Sequence, residues 1–552
     1  MSTPRSSLAQ NARQRRGDPE RTPRNEPAPA SRVDPRLADP AWGDGPLGRP
    51  VRARVGLLVA LNIAAALWYF SWLLRPDRVG DSWLYGVLLC AEFFNLAQAA
   101  GFWWSVTRQR TRHPVREIPP GTRVDVFVPR YNEPAEIVEP VLRAARRMHG
   151  AQVNVLLLDD GDDPRMAELA ARLGVGYLRR DSRHGAKAGN INNALRHSTA
   201  PFVAVFDCDH VPHPDFLVET LGVLFADGAL AFAQTPQHYA NADDNDVAGA
   251  AWAQQALFFG CIARGKDARG SMFCCGTNVT FRRAALDDGF PEDTVTEDFL
   301  LGLRMHEKGW RTAYVPIVLA QGLGPEDLAS YLGQQLRWAR GCLFAIPAAL
   351  TAKLPLRMKA QYLLSSMYFL TGWTVLIYMA LPVVRILTGR QPLAAANADQ
   401  FLVHFGPYFA LALSTVAVAG AGKYTFRAFA LAAASFWVHI AATFAVLLRR
   451  RGRFVVTPKS GTGRRQPLAV WPTLLAIITL SGAAAYGLAH SRGPAMFNNV
   501  AFAAVHLCIL LVGIAPAFQR VRALTGGPDG PEVADLVTEE LQALDPAGRE
   551  RA

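Results

Sequence analysis

A disulfide framework is the first thing this chain lacks. Its seven cysteines, Cys90, Cys208, Cys261, Cys274, Cys275, Cys342 and Cys508, show no paired spacing and no C-x-x-C. That excludes a disulfide-stapled secreted domain and a zinc ribbon, and reduced thiols are expected. Charge is scarce too, at 19% of residues against 50% hydrophobic. The balance is too apolar for an ordinary soluble enzyme and too charged for a protein that lies in the bilayer throughout. No apolar leader begins the sequence; residues 1–52 are rich in Arg, Pro and Asp and read as a disordered cytosolic arm. No internal repeat is present. The net charge of +12 does not mark nucleic acid as a partner. Arginines crowd the first 54 positions and the short loops beside apolar runs, where positive charge keeps loops cytoplasmic, and no nucleic-acid motif appears.

Seven apolar stretches are long enough to approach a bilayer's thickness: 55–74, 83–106, 363–387, 401–420, 429–448, 468–490 and 500–518. The Arg-rich start is expected on the cytoplasmic side, so two spans within 53–106 return the chain to the cytoplasm. If the next three stretches all crossed, the basic loop 449–466 would lie outside, against the positive-inside tendency. Stretch 429–448 follows Lys423 and Arg427 and contains His439. It is therefore expected to lie on the cytoplasmic face as an interfacial helix, leaving six spans, four of them within a channel region 346–520. A tail, 521–552, carries the acids Asp529, Glu532, Asp535, Glu539 and Glu540.

Between the second and third stretches lies a region without such runs, in which β-rich segments alternate with amphipathic ones. The β-like segments are 124–129, 153–159, 175–178, 202–207 and 230–234, with helical patterns at 137–148 and 163–173. This alternation predicts an α/β domain over 115–345 with a mainly parallel sheet, and ligands beyond the carboxyl ends of its strands. Polar motifs stand at those ends. Asp159 and Asp160 precede Gly161, and Asp207 and Asp209 flank Cys208. In an extended segment residues i and i+2 point the same way, so Asp207 and Asp209 can approach one cation, while a lone D-x-D is equally ordinary turn chemistry. Thr296-Glu297-Asp298 is by itself a helix start with Thr296 as N-cap, yet a carboxylate there can serve as a base for an acceptor hydroxyl. Gln334, Arg337 and Trp338 share a helical face, with a guanidinium suited to diphosphate and an indole suited to a sugar ring. The same trio also fits an interfacial helix at headgroup level.

The order D-D-G, D-x-D, T-E-D, Q-x-x-R-W, followed by membrane stretches, resembles the cellulose synthase family of processive, inverting family-two glycosyltransferases. The resemblance covers about 51–522. It is sharpened by Val128–Pro134, by His184–Asn190 (H-x-x-K-A-G-N), by Gln234-Thr235-Pro236 and by Cys275–Asn278. Phe454–Lys459 is similar to the family's F-x-V-T-x-K gating loop. The resemblance implies a cytosolic GT-A (Rossmann-like) α/β domain inserted between transmembrane helices of the plasma membrane, joining glucose from UDP-glucose into a β-glucan that is exported.

It further implies Asp298 as general base, with Asp207 and Asp209 at the diphosphate and at Mg²⁺ or Mn²⁺. Asp159, Asp160, Lys187, Gln334, Arg337, Phe454, Thr457 and Lys459 would hold the donor, and Trp338, Cys275 and Glu297 the acceptor. Partners implied are the UDP-sugar, the growing polysaccharide, membrane lipid and an envelope-side accessory subunit. Two departures stand out. Arg130 occupies a turn position usually small or hydroxylated, and residues 521–552 are too few for a cyclic-di-GMP-binding PilZ barrel. A β-1,3 or mixed linkage, sugar transfer to a lipid carrier, and a non-catalytic transporter or scaffold are the other readings of the sequence, in descending order.

Overall fold

The computed structural model describes residues 48–394, 398–449, 466–490 and 493–519. Phe454, Thr457 and Lys459 of the expected gating loop, and the acidic tail, lie outside the described residues, as does most of the arm.

The described residues form ten strands: β1 Arg123–Arg130, β2 Gln152–Asp159, β3 Gly176–Arg179, β4 Phe202–Val205, β5 Val211–Pro212, β6 Leu230–Gln234, β7 His238–Tyr239, β8 Val279–Arg282, β9 Arg311–Tyr314 and β10 Ala320–Gly322. Seven of them make one sheet in the order β3-β2-β1-β4-β8-β6-β9. β8 runs antiparallel between β4 and β6 while the other six strands point one way, so the sheet is mainly parallel as expected, made mixed by one reversed strand. The helices follow from local chemistry. Pro164–Leu173, for example, starts on the Asp163 side chain and stops at Gly174, whose φ of +60° closes the turn.

β1 shows why the sheet sits where it does. Val124, Val126 and Val128 join Val138, Val141 and Leu142 of helix Ala135–Arg146 on one face. Phe127 joins Ile191 and Ala194 of helix Ala186–Arg196 on the other. All of these side chains are fully buried, and each of the larger ones (all but Ala194) stabilises the fold by roughly 1.5–3 kcal/mol relative to exposure. The register pairs Arg130 with Asp159, so the polar ends of β1 and β2 emerge at one edge.

Among the described residues six helices are long and apolar enough to cross a membrane: Arg52–Leu73, Ser82–Thr107, Leu356–Thr388, Asp399–Ala419, Pro467–His490 and Pro494–Phe518. Each leaves large apolar side chains exposed (Leu67, Trp83, Leu387, Leu402, Ile478 and Leu511 among them), as contact with lipid requires. The stretch 429–448, expected as one interfacial helix, is a pair, Phe426–Ala434 and Phe436–Leu447, meeting at 42°. The break has a local cause: Ser435 Oγ donates to Leu431 O at 2.8 Å, the back-bond that bends helices. The second helix packs Ala442 against Ala339 and Leu343 of helix Leu328–Phe344, which carries Q-x-x-R-W.

Candidate active site

Asp159 closes β2 and is fully buried. Its oxygens accept from Arg130 Nη1 (2.9 Å), Gly161 N (2.8 Å), Asp163 N (3.3 Å) and Tyr177 Oη (2.9 Å). With both oxygens engaged it shapes the turn rather than facing a ligand. Arg130, the residue whose consequence the sequence left open, supplies the charge that makes this burial tolerable. Gly161 is required here, because a Cβ would fall 1.9 Å from Tyr131 O and 2.1 Å from Arg130 Nη1. Asp160 is gripped bidentately by Arg180, with Nε at 2.7 Å and Nη2 at 2.6 Å. The same guanidinium donates to His184 O (2.6 Å) and Ala186 O (2.7 Å), tying D-D-G to H-x-x-K-A-G-N. Asn190 of that motif anchors its helix to the end of β2 by donating to Leu158 O at 2.9 Å.

The D-x-D acids come together differently from the way the sequence implied. β4 ends at Val205, and the next residues turn, with His210 N donating to Asp207 O at 2.9 Å. Asp207 and Asp209 are therefore brought together by a turn and not by an extended run. They are joined by His210, the three ligand atoms lying within 4.8 Å of one another. Nδ1 of His210 is 3.2 Å from Asp209 Oδ1, while its buried Nε2 has no hydrogen-bond partner. The ring lies against Gly322 of β10, where a Cβ would come within 2.4 Å of Nε2. Two carboxylates and an imidazole make a donor set that fits a divalent cation.

Lys187 joins the motifs. Its Nζ pairs with Asp207 Oδ1 and donates to Gly276 O at 2.9 Å. Burial pulls the ammonium down, but the carboxylates of Asp207, Glu297 and Asp298 together push harder, and it ends above its ordinary value. Gly276, at φ +81°, leaves room for Asp298, whose Oδ2 would lie 2.9 Å from a Cβ there. The loop carrying Gly276 is fixed by Gln234, which accepts from Cys275 N at 2.9 Å and donates to Thr277 O at 2.8 Å. Gln237 Nε2 holds Cys275 O from the other side at 3.1 Å.

Helix Glu297–Glu307 begins with the two acids. Burial and the adjacent Asp298 charge lift Glu297 to about 7. Burial also raises Asp298, opposed by the bond it accepts from Phe299 N at 2.8 Å. Thr296 holds the N-cap position, yet its side chain makes no capping bond and its buried Oγ1 has no partner. It faces Gly341 of the Q-x-x-R-W helix instead, where a Cβ would meet Thr296 Cγ2 at 2.2 Å. Gln334, Arg337 and Gly341 repeat at helical spacing on one face, so the face turned to Thr296 is the one bearing Gln334 and Arg337. Trp338 packs beside Leu336 on the cluster of Leu343, Phe369 and Ala442.

Asp207, Asp209, Lys187, Glu297 and Asp298 are thus gathered with Cys275 at its loop, while Asp159 serves them from beneath. The sequence reading missed Arg180, His210, Gly322 and Gly341. Only His210 carried a local signal, as the residue directly after Asp209.

A mixed sheet with acids at its strand ends, joined to apolar helices of membrane-spanning length, defines a GT-A glycosyltransferase fold. The glycosyltransferase-like family 2 model matches residues 119–341, and the cellulose synthase model matches 289–424. The chain belongs to the cellulose synthase family. It is 33% identical over 501 residues to cellulose synthase 1 of Komagataeibacter xylinus, covering 85% of this chain and 32% of that one. It is 30% identical over 505 residues to the UDP-forming cellulose synthase catalytic subunit of Komagataeibacter sucrofermentans, covering 85% and 66%. The chain therefore spans about a third of the length of the first curated relatives it matches. Among solved structures, a mannosyltransferase from Pyrobaculum calidifontis in complex with GDP-Man and Mn²⁺ is similar at 19% identity, with TM-score 0.45, covering 71% of this chain and 99% of that one.

Proposed function

We propose that this protein is a processive, inverting glycosyltransferase that polymerises glucose from UDP-glucose into a β-glucan, β-1,4 favoured, and exports it. The observation that carries the reading is Lys187, whose ammonium links Asp207 to the Gly276 loop directly over Asp298. Diphosphate charge and a base for the acceptor are thereby served side by side.

Asp298, raised by burial, acts as general base. It takes the proton of the acceptor hydroxyl, whose oxygen bonds to the anomeric carbon from behind. The bond from that carbon to the UDP oxygen breaks, and its electron pair leaves with UDP. Lys187 and Arg337 offer positive charge to that diphosphate in a setting shielded from water, where such charge is most effective. Asp207, Asp209 and His210 would hold a divalent cation, Mg²⁺ or Mn²⁺, which when bound offsets diphosphate charge. The Asp160–Arg180 pair borders the nucleoside, and Glu297, Cys275 and Trp338 the acceptor. Phe454, Thr457 and Lys459, which lie outside the described residues, are assigned to the donor on sequence alone. The α/β domain lies in the cytosol beneath the plasma membrane, and the bent pair 426–447 lies along the cytoplasmic face under the Q-x-x-R-W helix.

The test incubates membranes containing the protein with Mg²⁺ and a panel of labelled UDP-sugars, then digests the polymer with linkage-specific glucanases. Polymer from UDP-glucose, cut by a β-1,4-glucanase and reduced about 10²–10⁴-fold in Asp298→Asn, is the expected outcome. No polymer from any donor, with wild type and variant alike, refutes it.

A further inference from the structure

A cavity of about 370 Å³ opens where the α/β domain meets the membrane helices. Trp104, Arg108, Arg110, Arg269 and Arg357 line it together with residues 268 and 270, and no carboxylate does. Buried Asp267 precedes the lining residue Ala268 and pairs with one of the arginines. Its Oδ2 lies 3.8 Å from Arg110 Nε and 2.9 Å from His113 Nε2, so it offsets at most one of the four guanidiniums. Arg269 is held in place by donating to Arg108 O (2.8 Å) and Gly265 O (3.1 Å), with its guanidinium 5.4 Å from the Trp104 ring centre. Burial, and after it the charge of Arg108, press Arg269 below its usual range.

The walls are closely packed. Gly265 passes so close to helix Ser82–Thr107 that a Cβ would fall 2.0 Å from Ser105 O. Gly101 of that helix instead packs against a side chain of the next, where a Cβ would lie 2.7 Å from Leu364 Cδ1. Buried Lys266 ties the α/β domain to the second helix by donating to Gln361 O and Oε1 at 3.0 and 3.1 Å.

Height in the membrane identifies the ligand. Trp104 lies in the last turn of Ser82–Thr107, and Arg357 is the second residue of Leu356–Thr388. Both mark one end of two apolar helices, the end next to the α/β domain. Tryptophan and arginine concentrate at the level of lipid headgroups. Guanidiniums match phosphate oxygens bidentately, and an indole accepts the glycerol and upper acyl region beside them. We propose that this cavity binds the phosphate of an anionic membrane phospholipid, seating the α/β domain against the bilayer.

The full chain, purified and stripped of lipid, is titrated with phosphatidylglycerol or with phosphatidylcholine of the same acyl chains, and bound lipid is counted by native mass spectrometry. Wild type should prefer phosphatidylglycerol by roughly tenfold or more, and R108Q/R357Q should lose that preference. R108K/R357K, which keeps both charges, should retain most of it and guards against misfolding of the neutral pair. Inorganic phosphate at millimolar concentration should leave the bound lipid in place. Equal binding of the two lipids by wild type would overturn the proposal. So would an undiminished preference in R108Q/R357Q, or displacement by phosphate alone, which would assign the site to a soluble anion.

Discussion

Gly341→Ala adds one methyl group at the contact between the Q-x-x-R-W helix and the start of the T-E-D helix. Its Cβ would lie 2.2 Å from Thr296 Cγ2 and 2.3 Å from Oγ1. Carbon pairs settle near 3.5 Å, so the two helices must part by roughly 1 Å. Overfilling of this kind destabilises by about 1–3 kcal/mol, partly offset by the ~1 kcal/mol that alanine gains over glycine in a helix. The larger effect is on turnover. Arg337 and Gln334 lie on the same face as Gly341, and a displacement near 1 Å lowers catalysis about 10²-fold. Gly333→Ala, on the same helix but with nothing within 4 Å of its Cβ, should leave turnover unchanged and raise the melting temperature slightly. Thr296→Ala removes the two colliding atoms but leaves Thr296 Cβ at 2.7 Å, so it should restore part of the loss in the double variant. The assay is polymer formation from UDP-glucose in membranes, with melting temperature in parallel. A double-mutant coupling of at least about 1 kcal/mol is expected. Wild-type turnover in Gly341→Ala, or losses from Gly341→Ala and Thr296→Ala that simply multiply, would refute the reasoning.

Glu297, lifted to about 7, gives a pH-dependent prediction. Its value in the unfolded chain is about 4.3, so between these two values the folded protein keeps a proton that the unfolded chain has lost. Stability therefore falls as pH rises through that window, and the full cost stands above it. Glu297→Gln should melt higher than wild type at pH 8 and lose this advantage by pH 4.5; an advantage equal at both values would show that ionisation is not its source. At the metal cluster, chelation should abolish polymer formation and Mg²⁺ or Mn²⁺ should restore it. His210→Ala should raise the metal concentration for half-maximal rate by about tenfold or more, and an unchanged requirement would remove His210 from the ligand set.

What was legible in the sequence was whatever a short window could hold. β1, β2 and β6 are dominated by apolar, mostly buried residues, and the acids that mark the site, Asp159 at the end of β2 and Asp207 just past β4, stand where turn chemistry and ligand chemistry coincide. β8 and β9 escaped because each has only four residues, with Thr and Arg among them, and gains its identity from neighbours far along the chain. Helix Asp246–Leu257 escaped for the opposite reason: its alanines surround it, so no apolar stripe announces it. The same distinction holds in the site. Asp207, Lys187 and Asp298 are marked by local motifs, whereas Arg180, Gly322 and Gly341 make their decisive contacts, with Asp160, His210 and Thr296, across 20 to 112 residues.

The contact of Gly265 with Ser105 bears on force as well as on position. A site that lengthens a chain one sugar at a time must push the whole polymer ahead of it, and the recoil falls on the domain that holds the chain's end. Side chains sliding over one another would absorb that recoil as slip. Backbone set against backbone, with buried Lys266 fastened to Gln361 one residue further on, has little give. Under the proposed polymerising activity, the thrust of each addition would pass through this contact into helix Ser82–Thr107.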